Sequence, residues 1–329
     1  MSVPVAGEAT ARLANDTLDA TEFDDLRWRL LALLPLSIAL IVLCWRGMPI
    51  WLEVAAVAWT AYFFLCVASL FHEFTHRHDH LRCRIWARAI GSLILIPATA
   101  YRETHVRHHA YLNRPLDWEL WPYSDPRCSR LFRRAFAWID LLAGYVTAPF
   151  IYGRIYWHPR SPLSAASRRA IAWEYVAVAA FWSAALTMIA VFGEWNGFLR
   201  AWVLPWWLAG MLQTGRKFTE HLGLSSFDPL QGTRTVFGTG PLTRICSYLN
   251  SDIFIHGPHH RTPRVTADEL HAFAAELQRR DGPALPFYST YAAATWDMLP
   301  HLLANPGVGE NAGISQATLP DPADCAARW

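Results

Sequence analysis

Polar and apolar residues fall along this chain in long blocks rather than in short alternation. Four windows, 30–45, 51–71, 171–192 and 198–211, are nearly free of charge, and a membrane span takes about 20 such residues. The first and last are short, which places their flanking tryptophans at the membrane interface. A fifth stretch, 87–101, is interrupted by Gly91 and Pro97 and reads as a re-entrant or surface-lying segment. A sixth, 136–152, carries Asp140 among aromatics and reads as one interfacial helix. Each pair of spans is joined by a tight turn and followed by polar sequence. The pattern predicts an all-α integral membrane protein, with four transmembrane helices in two hairpins and a cytoplasmic helical cap. Residues 27–302 form this domain, residues 1–26 a disordered polar N-terminus, and residues 303–329 a flexible C-terminal tail.

Composition supports lipid as the solvent. Of the 329 residues 53% are hydrophobic and 17% charged, against roughly 25% charged in an ordinary soluble domain. Among the 29 Lys and Arg residues, 28 are Arg, and only Arg46 and Arg200 lie near the two short turns between paired windows. Short basic loops stay in the cytoplasm, so both termini and the polar segments between hairpins are expected there, in a bacterial-type inner membrane. The basic residues need no nucleic-acid partner. No cleavable signal peptide is expected, since the first 26 residues are polar and acidic. The six cysteines show no Cys-x-x-Cys pair, which argues against a disulfide framework, a zinc ribbon or a built-in iron–sulfur cluster.

The chemistry is written in histidine. His72-Glu73-Phe-Thr-His76, His105-Val-Arg-His108-His109 and His256-Gly-Pro-His259-His260 form three clusters, and His221 follows the fourth apolar window. Residues three and four apart share a helix face, so each cluster can present two or three imidazoles to one side. Pro258 is compatible with the first turn of a helix that starts at His256. Nine ring nitrogens exceed what one ion takes, and two metal ions are the economical reading. A ligating histidine usually gives its other N–H to a carboxylate or carbonyl; Glu73, Glu103, Asp117, Glu119, Glu220 and Asp252 lie in or beside the clusters as candidates. His78 and His80 are extra candidates in a polar loop, whereas His158, His271 and His301 read as surface or packing residues. Thr266-Ala-Asp-Glu269 reads as a capping box opening an amphipathic helix through Arg280, with Leu270, Phe273, Ala274 and Leu277 on its apolar face.

One short motif points elsewhere. His72-Glu73-x-x-His76 matches the H-E-x-x-H of zinc proteases, where the glutamate is the general base, and Glu73-x-x-His76 resembles half of a soluble di-iron carboxylate site. Neither accounts for two copies of His-x-x-His-His.

With these boxes in this order, the chain resembles the membrane fatty acid desaturase and hydroxylase superfamily over residues 30–300. The segment from Tyr101 through Asn113, Asp117 and Glu119 is similar to that family, as are Glu220-His221 and Pro263-Arg264-Val265. The resemblance implies a non-haem centre of two iron ions (Fe2+) with O2 as co-substrate. Its ligands would be His72, His76, His105, His108, His109, His221, His256, His259 and His260. It implies oxidation of a C–H bond on a membrane lipid or acyl chain, with desaturation as the leading outcome. Hydroxylation or ketone formation on a fatty acid, alkane or carotenoid is the alternative. Some acyl-CoA desaturases of the family hold a water on an Asn four residues before the histidine that corresponds to His221; here that position is Lys217, a departure that keeps the alternative open. Tyr101, Trp118, Trp121 and Phe218 are candidate substrate-lining residues, and Arg216 and Lys217 could meet an acidic head group. The chain carries no dinucleotide loop, ferredoxin-type cysteines or haem domain, so electrons are expected from an external ferredoxin or similar donor on the cytoplasmic side.

Overall fold

The computed structural model describes residues 20–313, and residues 1–19 and 314–329 of the two expected ends lie outside them. Helix α1 (Ala20–Leu31) leads into α2 (Leu34–Arg46), and α3 (Ile50–His76) packs back along α2 after a turn at Gly47, where φ is 89°. A second hairpin pairs α8 (Ala165–Phe192) with a helical run made of α9 (Trp195–Phe198), a π-turn (Leu199–Val203) and α10 (Leu204–His221). Pro205 explains the π-turn: it has no N–H for the carbonyl four residues back, and Leu204 N–H bonds instead to the Leu199 carbonyl. The two hairpin turns meet where Trp45 Nε1 donates to Glu194 at 2.9 Å. The histidine-bearing ends of α3 and α10 lie at the opposite end of these packed helices.

Two expected spans coincide with helices long and apolar enough to cross a bilayer, Ile50–His76 and Ala165–Phe192. The other two do not. The first window breaks before Pro35, leaving a helix of 13 residues, about 20 Å long where a bilayer core is about 30 Å. The fourth window opens on the π-turn, and α10 ends in polar sequence containing Arg216, Lys217 and Glu220.

Between the hairpins the chain folds twice on itself. Helices α4 (Leu81–Leu93) and α5 (Ala98–Ala110) meet at 104°, and α6 (Arg130–Leu142) and α7 (Gly144–Trp157) at 119°. The first bend replaces the interrupted stretch at 87–101; the chain returns so closely that a Cβ on Gly91 would run into the Ile96 carbonyl. Glu174 of α8 pins this bend, accepting from Thr99 N at 2.8 Å, Thr99 Oγ1 at 2.7 Å and Arg88 Nε at 3.0 Å. The second bend corrects the single interfacial helix expected over 136–152. Its cause is the close approach of Gly144 and Gly210, where a Cβ on Gly210 would stand 2.6 Å from the Tyr145 nitrogen. Gly210→Val is expected to cost about 1–3 kcal/mol through overpacking. A thermal melt in detergent unchanged from wild type would contradict that close-packing account.

The remaining elements gather over the histidines: α11 (Pro229–Gly232), β1 (Thr235–Val236), α12 (Pro241–Leu249), α13 (His256–Arg261), α14 (Ala267–Asp281), β2 (Phe287–Tyr288) and α15 (Tyr291–Ala304). Strands β1 and β2 pair in parallel. Helix α14 opens with the capping box of Thr266 and Glu269 and buries Leu270, Ala274 and Leu277; Leu270 and Ala274 pack on Ile255, beside α13. The chain beyond 303, expected to be flexible, is anchored as far as it is described. Gly307 accepts from Gly223 N at 2.9 Å, Val308 N donates to Tyr123 O at 3.2 Å, and Gly309 N donates to Leu224 O at 2.9 Å. Likewise Leu26, inside the expected disordered N-terminus, is buried against Leu70 and Phe71.

Candidate metal centre

Helix α3 continues without interruption from its apolar body through His72 and His76, and α5 carries His105, His108 and His109. Helix α10 ends on His221, and α13 is a short helix built from the third cluster, with Pro258 in its first turn. All nine histidines are buried, none more than 6% exposed. They sort into two groups whose ligand atoms lie within 4.8 Å of one another: His72, His76, His105, His109 and His259, and His108, His221, His256 and His260. His109 and His260 stack at 4.1 Å between ring centroids, so the groups adjoin.

The spacing within each group fits a metal. Nε2 of His76 lies 3.3 Å from that of His72 and 3.1 Å from that of His105, which is 3.0 Å from Nε2 of His109. In the second group Nε2 of His256 lies 2.9 Å from that of His221 and 3.1 Å from that of His260. Imidazole nitrogens about 2.1 Å from one ion and at right angles stand about 3.0 Å apart. Imidazole-to-imidazole hydrogen bonds account for the first group poorly. His105 gives its Nδ1 proton to Glu119 at 2.7 Å, so its Nε2 offers a lone pair to two neighbours at once. The buried Nε2 of His259 has no hydrogen-bond partner, as expected of a nitrogen directed at an ion.

Carboxylates orient several of these rings. Asp117 accepts from His108 Nδ1 at 2.8 Å and from the backbone nitrogens of Asn113, Glu119 and Leu120 at 3.1–3.2 Å. Glu119 also accepts from the Tyr152 hydroxyl at 2.8 Å. Glu73 Oε1 is 3.2 Å from His72 Nδ1, while Oε2 binds Arg77 at 2.6 Å. Glu220 faces the second group, 3.6 Å from His256. Two other candidates turn elsewhere. Glu103 pairs with Arg107 at 2.7 Å and accepts from Ser167. Asp252 is held by Arg29 at 2.6 Å and by Ser247 and His271 at 3.0 Å. His78 and His80 belong to neither group.

Of the candidate substrate residues, Tyr101 stacks on His105 with centroids 5.4 Å apart and 18° between planes. Phe218 is buried against Tyr123. Trp118 packs on His158, and Trp121 lies under the Arg154 guanidinium at 4.0 Å, among Phe132, Phe136 and Phe150. Lys217 reaches Asp140 at 2.6 Å and Arg216 reaches Ser69 at 2.6 Å, so both are committed inside the protein.

Burial, reinforced by neighbouring imidazoles, holds His256, His259 and His260 well below the usual histidine pKa. They are neutral, the form that binds metal. The unfolded chain takes protons at about pH 6.5 where the folded one does not, so the folded state loses stability as pH falls below that value. Metal-free protein should therefore melt progressively lower as pH falls from 7 to 5. A melting temperature that rises on acidification would contradict neutral, buried imidazoles.

Nine buried histidines in two adjoining groups, set among apolar helices, define a protein able to hold two metal ions. Over residues 49–292 the chain matches the family model described as fatty acid desaturase; it belongs to that family, which makes it an oxidoreductase of the desaturase and hydroxylase type. No curated protein matches it.

Proposed function

We propose that this chain is an O2-dependent, non-haem di-iron membrane oxidoreductase that desaturates a fatty acyl chain. The observation that carries the reading is the division of nine ligand histidines into groups of five and four in a chain of the desaturase family. When bound, two iron ions supply reductive activation of O2 against an unactivated C–H bond. The protein's part is to fix the rings through Asp117 and Glu119, to exclude water by burial, and to place the chain. Tyr101, stacked on His105, is the wall we assign to the reacting segment of the substrate, with Phe218, Trp118 and Trp121 farther along its path. The exposed apolar face of α8, including Trp173, Val176 and Phe181, suits a protein whose substrate arrives from the bilayer. We place the histidine end and both termini on the cytoplasmic side, where an acidic ferredoxin-like donor could meet the arginine-rich loops. Turnover should then fall as salt rises at limiting donor, and a salt-independent rate would remove the charge argument.

Hydroxylation or ketone formation is a second outcome at the same site, favoured by Lys217: it occupies the position of the water-holding Asn of some acyl-CoA desaturases and is bound to Asp140. The zinc-protease reading loses its general base, because Glu73 is paired with Arg77 beside a group of five histidines. Mass spectrometry of lipids from a bacterial host expressing the chain and a donor, beside His108→Ala, separates the outcomes. Products short of two hydrogens support desaturation, and products gaining oxygen support the alternative. Lipids identical to those of the variant would contradict both.

A further inference from the structure

Carboxylates that orient a metal-bound imidazole sit on its outer side and take the Nδ1 proton. Asp117 and Glu119 do so, at His108 and His105. Glu220 does not. Its Oε2 lies 3.6 Å from Nε2 of His256, the nitrogen that faces His221 and His260 at 2.9 and 3.1 Å. The carboxylate therefore stands on the ion's side of the ring. It is 5% exposed, and its Oε1 has no hydrogen-bond partner, although buried polar atoms are nearly always paired. The flanking cation, Arg216, stops 3.9 Å away and spends its shortest hydrogen bond, 2.6 Å, on Ser69.

We infer that Glu220 is a tenth ligand, its carboxylate oxygen binding the ion held by His108, His221, His256 and His260. The inference rests on the two-metal reading above and goes beyond its nine histidines. As placed, the Glu220 oxygens lie outside the 4.8 Å grouping of the four histidine nitrogens, so a side-chain rotation on metal binding would bring one in as the fifth donor, matching the five nitrogens of the first group. A glutamate ligand also accounts for Lys217: with that side chain bound to Asp140 at 2.6 Å, the residue four positions before His221 holds no water for the ion. Glu220, adjacent to His221 at the end of α10, supplies the oxygen instead. Arg216, one turn earlier, balances the charge that remains on the carboxylate.

The test is iron content and Mössbauer spectroscopy of 57Fe(II)-loaded wild type, Glu220→Gln and Glu220→Asp, with thermal melts of the metal-free proteins. Wild type should carry two irons with two resolvable environments. Glu220→Gln should bind the second iron at least about tenfold more weakly, with one spectral component altered or lost and the other unchanged. Its metal-free form should melt no lower than wild type, because the substitution keeps the side chain's shape and removes a buried carboxylate oxygen that has no hydrogen-bond partner. Glu220→Asp should recover part of the second iron. Two irons with both components unchanged in Glu220→Gln would overturn the inference. So would a metal-free Glu220→Gln melting well below wild type with both components lost, which assigns Glu220 to the fold. Fewer than two irons in wild type would overturn the two-metal reading itself.

Discussion

His105→Ala should reduce product formation to background and leave the purified protein with about one iron per chain. His105 is the hub of the five-histidine group: its Nε2 stands 3.1 Å from that of His76 and 3.0 Å from that of His109. The ring is held in this position by Glu119 on Nδ1 and by the stacked face of Tyr101. The substitution also strands Glu119, which keeps only the Tyr152 hydroxyl, and leaving such a group underpaired costs about 1–3 kcal/mol. The second group shares none of these contacts, so its ion should remain. Metal analysis of the purified variant checks the point, and retention of two irons would show that the five nitrogens do not act as one site.

Asp117→Ala should be the most destabilising single change outside the ligands. One carboxylate, 2% exposed, accepts from His108 Nδ1 and from three backbone nitrogens. Removing it leaves those donors buried and unpaired, on the order of 3 kcal/mol or more, and frees the His108 ring, which costs about 10–100-fold in metal affinity. Asp117→Asn separates the two effects. Its amide oxygen still serves the backbone nitrogens of Glu119 and Leu120, while its NH2 faces the Asn113 nitrogen and His108 Nδ1, so the melt should fall less than in Asp117→Ala while the second iron is bound more weakly. If Asp117→Asn binds iron as wild type does, His108 is oriented by something other than this carboxylate.

The nine histidines of the two groups were legible in the chain because their signal is local. His72 and His76 share a face of a helix that runs on from an apolar span, and His105, His108 and His109 lie on one turn of α5. Thr266 and Glu269 announced α14 for the same reason. What could not be read depends on contacts between distant segments. Tyr152 lies in α7 and reaches Glu119 across 33 positions, with no spacing rule to mark it. Asp252 sits four residues before His256, yet Arg29 of α1 captures it at 2.6 Å. Glu103 lies two residues from His105 on a helix, and so points to a different face, where Arg107 meets it. The bend between α6 and α7 escaped a hydropathy reading because its cause is Gly210, far along the chain, against Gly144. Trp118 and Trp121 were placed by composition, and the structure sets them with His158 and Arg154 instead of against the histidines.

The most direct measurement is the metal content of wild-type protein purified in detergent after reconstitution with Fe(II), beside His105→Ala and His108→Ala. The two-group site requires two irons per chain in wild type and about one in each variant, with different ions lost in the two. One iron or none in wild type, or loss of the same ion from both variants, would contradict two metal sites divided between five and four histidines.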